Sequence, residues 1–277
     1  MKHHMLPVAV VVLLIMFPVY ARGQIAQSLA KPWILSAPPR GSVSSQRALY
    51  DPLAKYLATV THHKIIYRDP RNWLTYSQDM VDGRYDLIFD GPHFTSWRDR
   101  HLGYEPLVHA PEPLVFVVVT RRTEKLTRLS QLAGRMVCVY PPPYLGTLAL
   151  LSQFPDVARQ PYLVLIHGWL AAYTGLIAKR CAASVLPANN LEQYEKGRHL
   201  MHVLYRAPSY PNQALSAGTR IPQAIQALIR AALLSTAGQQ VSRPLRHSFG
   251  VTQFVPANRH EYAGLGHLLD NTLYFSR

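Results

Sequence analysis

Asp86-Leu87-Ile88-Phe89-Asp90-Gly91-Pro92-His93-Phe94 is the stretch whose reading decides the fold. Asp86 to Phe89 reads as a short buried strand, and Gly91-Pro92 stops it with the two residues that most strongly punctuate a backbone. A helix from Phe94 to Arg100 follows directly. A strand that turns at once into a helix presents backbone N–H groups at its carboxyl end, which in open α/β sheets is where ligands bind.

The segments on either side repeat this alternation. Upstream, Trp33 to Ala37 is an apolar strand broken by Pro38-Pro39, and Ser42, Ser44 and Ser45 offer caps for a helix through Val60 with Leu49, Leu53, Tyr56 and Leu57 at helical spacing. Lys64 to Tyr67 is a second strand, and Trp73 to Asp82 a helix closed by Gly83. This β-α-β-α-β order implies a parallel sheet with right-handed crossovers.

Downstream, Pro106 to Pro113 is an extended, Pro-punctuated segment. Leu114 to Thr120 is β-branched enough to be a strand buried on both faces. A short helix from Leu126 to Leu132 leads into a second series: strand Met136 to Tyr140, helix Leu145 to Phe154, strand Tyr162 to Ile166, helix Trp169 to Lys179, strand Cys181 to Leu186. Strand-like Gln213 to Ala217 and a helix from Pro222 to Ser235 follow, with further helices expected over Gln239 to Arg246 and His260 to Asn271. Two such units with a cleft between them make a ligand-binding plan.

Composition narrows the classes. With 277 residues, 48% hydrophobic and 16% charged, the chain can bury one large core or two ordinary ones, which excludes a disordered chain. The charge of +14 raises nucleic acid as a partner, but the basic residues are scattered rather than clustered with aromatics, so no nucleic-acid partner is expected. Residues 1–21 read as an export signal: Lys2, an apolar run from Leu6 to Phe17, and Val19-Tyr20-Ala21 as a cleavage site. A retained anchor is the competing reading, because Arg22 follows the small residue directly. Export makes the expected location periplasmic.

Two cysteines, Cys138 and Cys181, are too few and too far apart for a zinc ribbon or a redox pair. They fall on strands the alternation makes neighbours, so a disulfide and two buried thiols both stay open. The close His pairs, His62-His63 and His199 with His202, lack the spacing of a zinc hydrolase, and no metal or other cofactor is expected. His93 and His167 fall where two lobes would face each other. No Gly-x-Ser-x-Gly elbow, P-loop or Gly-x-Gly-x-x-Gly occurs, and Cys138 lies inside an apolar strand, so no enzyme activity is expected.

Four stretches, in order, carry a resemblance: Asp51-Pro52-Leu53-Ala54-Lys55-Tyr56-Leu57, Gly83 to Pro92, Leu129-Ser130-Gln131-Leu132-Ala133-Gly134-Arg135-Met136-Val137, and Phe254-Val255-Pro256-Ala257 with Glu261-Tyr262. Together they resemble the PhnD-like phosphate, phosphite and phosphonate periplasmic solute-binding proteins of the type 2, transferrin-like superfamily. The resemblance implies two α/β lobes, each a mostly parallel sheet flanked by helices, with a ligand cleft and a hinge between them. Residues 31–110 and 210–277 would form one lobe and 118–203 the other, the chain crossing at Leu114–Thr120 and Gln213–Ala217. It also implies a monomer that binds a small molecule and delivers it to the inner-membrane permease of a phosphonate/phosphate-type ABC importer. The alternative is a periplasmic module serving a sensor or a respiratory or assembly pathway without transport.

The departures concern the ligand. The family's Ser-Thr-Ser-Gly turn is here Pro143-Tyr144-Leu145-Gly146, with Thr147 one residue beyond. By the same alignment the family's ligand-facing His falls on Trp169, its Asp on Ala182, an aromatic position on Trp73, and Asp90 precedes Gly91. The expected ligand set is Trp73, Asp90, Gly91, Tyr144, Gly146, Thr147, Trp169 and Gln213. An aromatic pocket with a carboxylate at Asp90 would suit a flat, neutral or cationic ligand better than a tetrahedral oxyanion. Each residue also has a plainer reading: core aromatics for Trp73 and Trp169, a helix cap for Asp90, a cover over the cleft for Tyr144.

Overall fold

A computed structural model describes residues 31–270 together with 272 and 275. The export segment expected over residues 1–21 lies outside the described residues. Two mixed sheets organise the chain. The first has six strands, β1 (Trp33–Ser36), β2 (Ile65–Tyr67), β3 (Leu87–Asp90), β4 (Glu105–His109), β10 (Ala214–Ala217) and β11 (Val255–Pro256), in the order β11-β4-β10-β3-β1-β2. The second orders β5 (Phe116–Arg121), β6 (Met136–Val139), β7 (Tyr162–Leu165), β8 (Ala183–Pro187) and β9 (Met201–Arg206) as β7-β6-β8-β5-β9.

Burial on both faces explains why these runs are strands. Leu35, Leu87 and Phe89 pack into one cluster with Leu53 and Leu57 of α1 (Val43–Thr61), whereas Ile34 and Ile88 point the other way, against Tyr76 and Met80 of α2 (Trp73–Val81). Helix α3 (Pro92–Leu102) completes the first series, and α4 (Leu145–Leu151), α5 (Trp169–Ile177) and α6 (Ala188–Glu195) belong to the second. In the second sheet Phe116 and Val118 pack into one cluster with Val137 and Val185, and Val117 and Val119 into another with Tyr173 and Leu186. Most strands of each sheet run the same way, with β10 and β11 reversed in the first and β5 in the second. Strands β1, β2 and β3 run parallel, but β10 pairs antiparallel to β3 and to β4, and β5 pairs antiparallel to β8 and to β9. Strands β5 and β10 each directly follow a crossing between lobes, so each enters its sheet from the opposite end, and β11 adds antiparallel to β4 at the edge of the first sheet.

Strands β5 and β10 lie wholly within their sheets; the chain crosses just before each. Leu114 and Tyr210 form an antiparallel bridge with reciprocal hydrogen bonds of 2.8 and 2.9 Å, and the Asn212 amide donates to the Glu112 carbonyl at 2.6 Å. The two crossing segments are thus tied to each other at the hinge. After β10 come α7 (Gln223–Leu234), α8 (Thr236–Val241) and α9 (Arg243–Ser248), followed by α10 (Arg259–Tyr262) and a 3-10 turn at Leu265–Leu269. Gly266 lies close enough to the Trp97 backbone that a Cβ would come within 3.1 Å, while Leu265 and Leu268 pack on the second lobe's cluster. The C-terminal turn therefore touches both lobes.

Candidate functional site

The cleft is built from residues just past strand ends. Arg40 follows β1 after Pro38-Pro39, Trp73 opens α2 after β2, and Gly91 lies between β3 and α3. From the second lobe, Tyr140 and Tyr144 follow β6, and His167 and Trp169 follow β7, Trp169 being the first residue of α5. Local sequence explains the placement. Asn72 caps α2 by accepting the Thr75 N–H at 2.8 Å, and Pro92 starts α3 where its missing N–H has no role.

Two connected spaces result. A narrow inner pocket of about 20 Å³ is lined by Arg40, Trp73, Gly91, His93, Tyr144 and Gln213, with Phe116 and Pro143 among its other walls. An outer, more open region of about 530 Å³ shares Arg40, Trp73 and Tyr144 and adds Arg71, Tyr140, His167 and Trp169. The second lobe contributes an aromatic wall. Tyr140 and Tyr144 stack with centroids 4.9 Å apart, and Trp169 lies 4.1 Å from Tyr140 and 5.2 Å from Tyr144. Trp73 faces it from the first lobe, stacked on Phe94.

Among the described residues, no carboxylate lines either space. Arg40 donates to Gln213 Oε1 at 3.1 Å and lies over the Phe249 ring at 5.2 Å. Among the described residues, no ion pair uses Arg40 or Arg71. Burial pushes the Tyr144 hydroxyl up to about 12 despite the opposing pull of Arg40, so it stays a neutral donor. His93, also buried, is pushed down to about 4. The arrangement is aromatic, neutral on its second-lobe wall and positive on its first, which suits an anion carrying a planar group.

Of the eight ligand residues expected from sequence, Trp73, Gly91, Tyr144, Trp169 and Gln213 line this space. Asp90, Gly146 and Thr147 do not. Asp90 is fully buried and turned beneath the cleft, where Arg98 grips both carboxylate oxygens at 2.5 and 2.7 Å, Tyr76 donates to Oδ2 and Thr95 approaches Oδ1 at 3.4 Å. It is neither a free charge in the pocket nor a helix cap; Gly91 occupies the cap position. The physical reason is helical register: Arg98 sits almost two turns into α3 and points back under the end of β3. Thr147 donates to the Tyr140 carbonyl at 2.6 Å, and Gly146 leaves room for Phe116, whose Cδ1 would lie 2.7 Å from any Cβ there.

Sequence reasoning missed Arg40, Arg71 and Tyr140. The signal for Arg40 was present: it follows the first strand as Gly91 follows the third, and the strand-end rule applies equally to both. Cys138 and Cys181 are joined by a disulfide, with Cα atoms 5.7 Å apart, where β6 runs beside β8. Among the described residues no cluster of three or more His, Cys, Asp or Glu side chains could hold a metal ion, and no helix is long and apolar enough to cross a membrane.

Two lobes, a hydrogen-bonded hinge and a cleft at the strand ends define a bilobal solute-binding protein. The chain belongs to the periplasmic substrate-binding proteins of phosphonate ABC transporters, whose family pattern matches residues 35–262. That family binds small molecules and works with ABC permeases; it is a family of binding proteins rather than enzymes, and it is periplasmic. Among solved structures, a Xanthomonas citri protein bound to ATP is 16% identical, covers 88% of this chain and all of its own, and has a TM-score of 0.67. PhnD1 of Prochlorococcus marinus in complex with methylphosphonate is 13% identical over 86% of this chain and 97% of its own, with a TM-score of 0.62. A binding-protein component of a Pseudomonas aeruginosa phosphonate transporter is 11% identical over 84% of each chain, with a TM-score of 0.58. No curated protein matches the chain.

Proposed function

We propose that this protein captures an organic oxyanion of the phosphonate or phosphate-ester type and presents it to an ABC permease. The anionic head lies against Arg40 in the outer region, at the mouth of the inner pocket, and a planar substituent lies against Tyr140, Tyr144 and Trp169. The observation that carries this is the cleft's charge: Arg40 and Arg71 face it and, among the described residues, no carboxylate does. With Asp90 held by Arg98, the reason for preferring a cation is gone. The aromatic wall supports the second half, since stacked rings contribute through their faces without demanding a particular shape of polar group. Methylphosphonate in the Prochlorococcus neighbour and ATP in the Xanthomonas neighbour are both phosphorus oxyanions, which agrees with this reading.

Calorimetry on the mature protein tests it with phenylphosphonate, methylphosphonate, inorganic phosphate and a phenyl-bearing amine. Phenylphosphonate binds most tightly and the amine does not bind. Arg40→Ala weakens phenylphosphonate by roughly tenfold to a hundredfold, the loss of a charge-assisted hydrogen bond of about 1.5–3 kcal/mol. An amine that outcompetes the phosphonate would overturn the proposal.

A further inference from the structure

We propose that His93 makes the cleft selective for the proton-bearing form of the anion: its Nδ1 accepts a hydrogen bond from an O–H on the ligand head, so a monoprotonated oxyanion binds and an oxyanion of equal charge with no proton is rejected. This rests on the anion-binding reading of the same cleft and assigns a specificity-determining residue within it.

The geometry starts at the start of α3. His93, its second residue, is 3% exposed and lines the inner cavity. Its Nε2 lies 2.9 Å from the Pro143 carbonyl oxygen across the cleft. A carbonyl only accepts, so Nε2 carries the proton and the neutral ring is left with a bare lone pair on Nδ1. That Nδ1 is buried and has no partner among the described residues. Gly91 keeps its surroundings open, since a Cβ there would come within 3.2 Å of Nδ1 and 3.0 Å of Cε1.

Burial holds the ring in this neutral state. Arg40 faces it from the segment after β1, Asp90 and Arg98 lie beneath it paired with each other, and the neutral Tyr144 hydroxyl belongs to the opposite wall. Burial, the largest influence, and both arginines oppose a second proton on the imidazole and together outweigh the Pro143 carbonyl and Asp90, which favour it. The cavity therefore combines a cation that attracts an oxyanion with a fixed acceptor that no oxyanion oxygen can satisfy unless it carries hydrogen. Gln213 Oε1, the neighbouring acceptor, already takes its hydrogen bond from Arg40. A buried acceptor left unmatched is the condition under which sites reject analogues lacking one O–H most strongly.

Phenylphosphonate and benzenesulfonate test this directly, because below the phosphonate's second ionisation both carry one negative charge and one ring, and they differ by a single O–H. Titration calorimetry of the mature wild-type protein at acidic pH gives phenylphosphonate an advantage of roughly a hundredfold or more. Above the second ionisation, phenylphosphonate affinity falls about tenfold for each pH unit, as mass action on one required proton dictates, while benzenesulfonate stays flat. His93→Gln, whose amide can turn an N–H toward the ligand, brings benzenesulfonate to within about tenfold of phenylphosphonate. Equal wild-type affinity for the two probes, or a phosphonate affinity independent of pH, overturns the role of His93 while leaving an anion site in place. Binding of neither probe overturns the anion site and this inference together. The wild-type comparison stands whether or not the variant folds.

Discussion

Replacing Asp90 by Asn separates a structural carboxylate from a ligand-binding one. The two side chains have nearly the same shape, so the substitution changes only charge and hydrogen-bond character. In the native protein Arg98 and Asp90 are both fully buried, and Arg98 donates to both carboxylate oxygens. Burial alone would push the Arg98 guanidinium down, but Asp90 outweighs it and holds the group above its ordinary range. The Asp90→Asn change would leave that cation without a counter-charge, and the new amide would turn an NH₂ toward either Arg98 or Tyr76, both of which already donate there. Breaking a buried pair from one side costs about 3–5 kcal/mol. That is a large part of the roughly 5–15 kcal/mol that keeps a domain folded, and it lowers the melting temperature by roughly 6–20 °C for a chain of this size. Urea unfolding followed by circular dichroism measures the loss, and calorimetry with phenylphosphonate measures the cleft. The expected pattern is strong destabilisation with affinity changed less than about threefold. Asp90→Leu combined with Arg98→Met recovers most of the stability, because a packed apolar pair avoids both desolvation costs. Unchanged stability with altered phosphonate affinity would refute the reasoning and return Asp90 to the pocket.

Three further outcomes are expected. His93 ordinarily titrates near 6.5, but burial holds it down to about 4 in the folded protein, so between those values the unfolded chain binds a proton that the native one does not. Stability of the ligand-free protein therefore rises with pH from about 4 to about 6.5 and this contribution is complete above that, a span of roughly 3 kcal/mol; His93→Asn should flatten that part of a stability–pH curve, and an unchanged slope would count against it. Cys138 and Cys181 are separated by 43 positions, so reducing the disulfide should lower stability by about 2–4 kcal/mol in denaturant titrations, and no change on reduction would argue that the bond is absent in solution. Mass spectrometry of the protein recovered from the periplasm should find an N-terminus at or near Arg22, whereas an intact Met1 would contradict cleavage.

Much of the architecture was legible because strands and helices announce themselves locally. The run Leu87-Ile88-Phe89 ending in Gly91-Pro92 specifies a buried strand, its stop and the following helix through nothing beyond its own order. Strand β9 was harder to see: Met201–Arg206 lies at a sheet edge with His202 and Val203 exposed, so no two-residue alternation marks it. Strand β4 was blurred by Pro106, whose missing donor falls where the ladder with β10 shifts register. The positions of Trp73, Tyr144 and Trp169 in the cleft follow from their places at helix starts, and those starts are local events.

The electrostatics of the cleft could not be read the same way. Asp90 stands beside Gly91 in the chain, and its sequence neighbours suggested an open carboxylate. Only the direction of α3 places the Arg98 guanidinium against it. Arg40 is one of 29 basic residues; its place after the first strand marks it as near the cleft, but not whether its charge is paired or left facing a ligand. The periodicity of buried side chains is written within a few residues, so sequence alone determined most of the strands and helices and the two-unit plan, edge strand β9 and helix α6 excepted. Charge pairing acts through space between residues that folding brings together, so tertiary structure alone decided which charge is consumed and which is left facing the ligand.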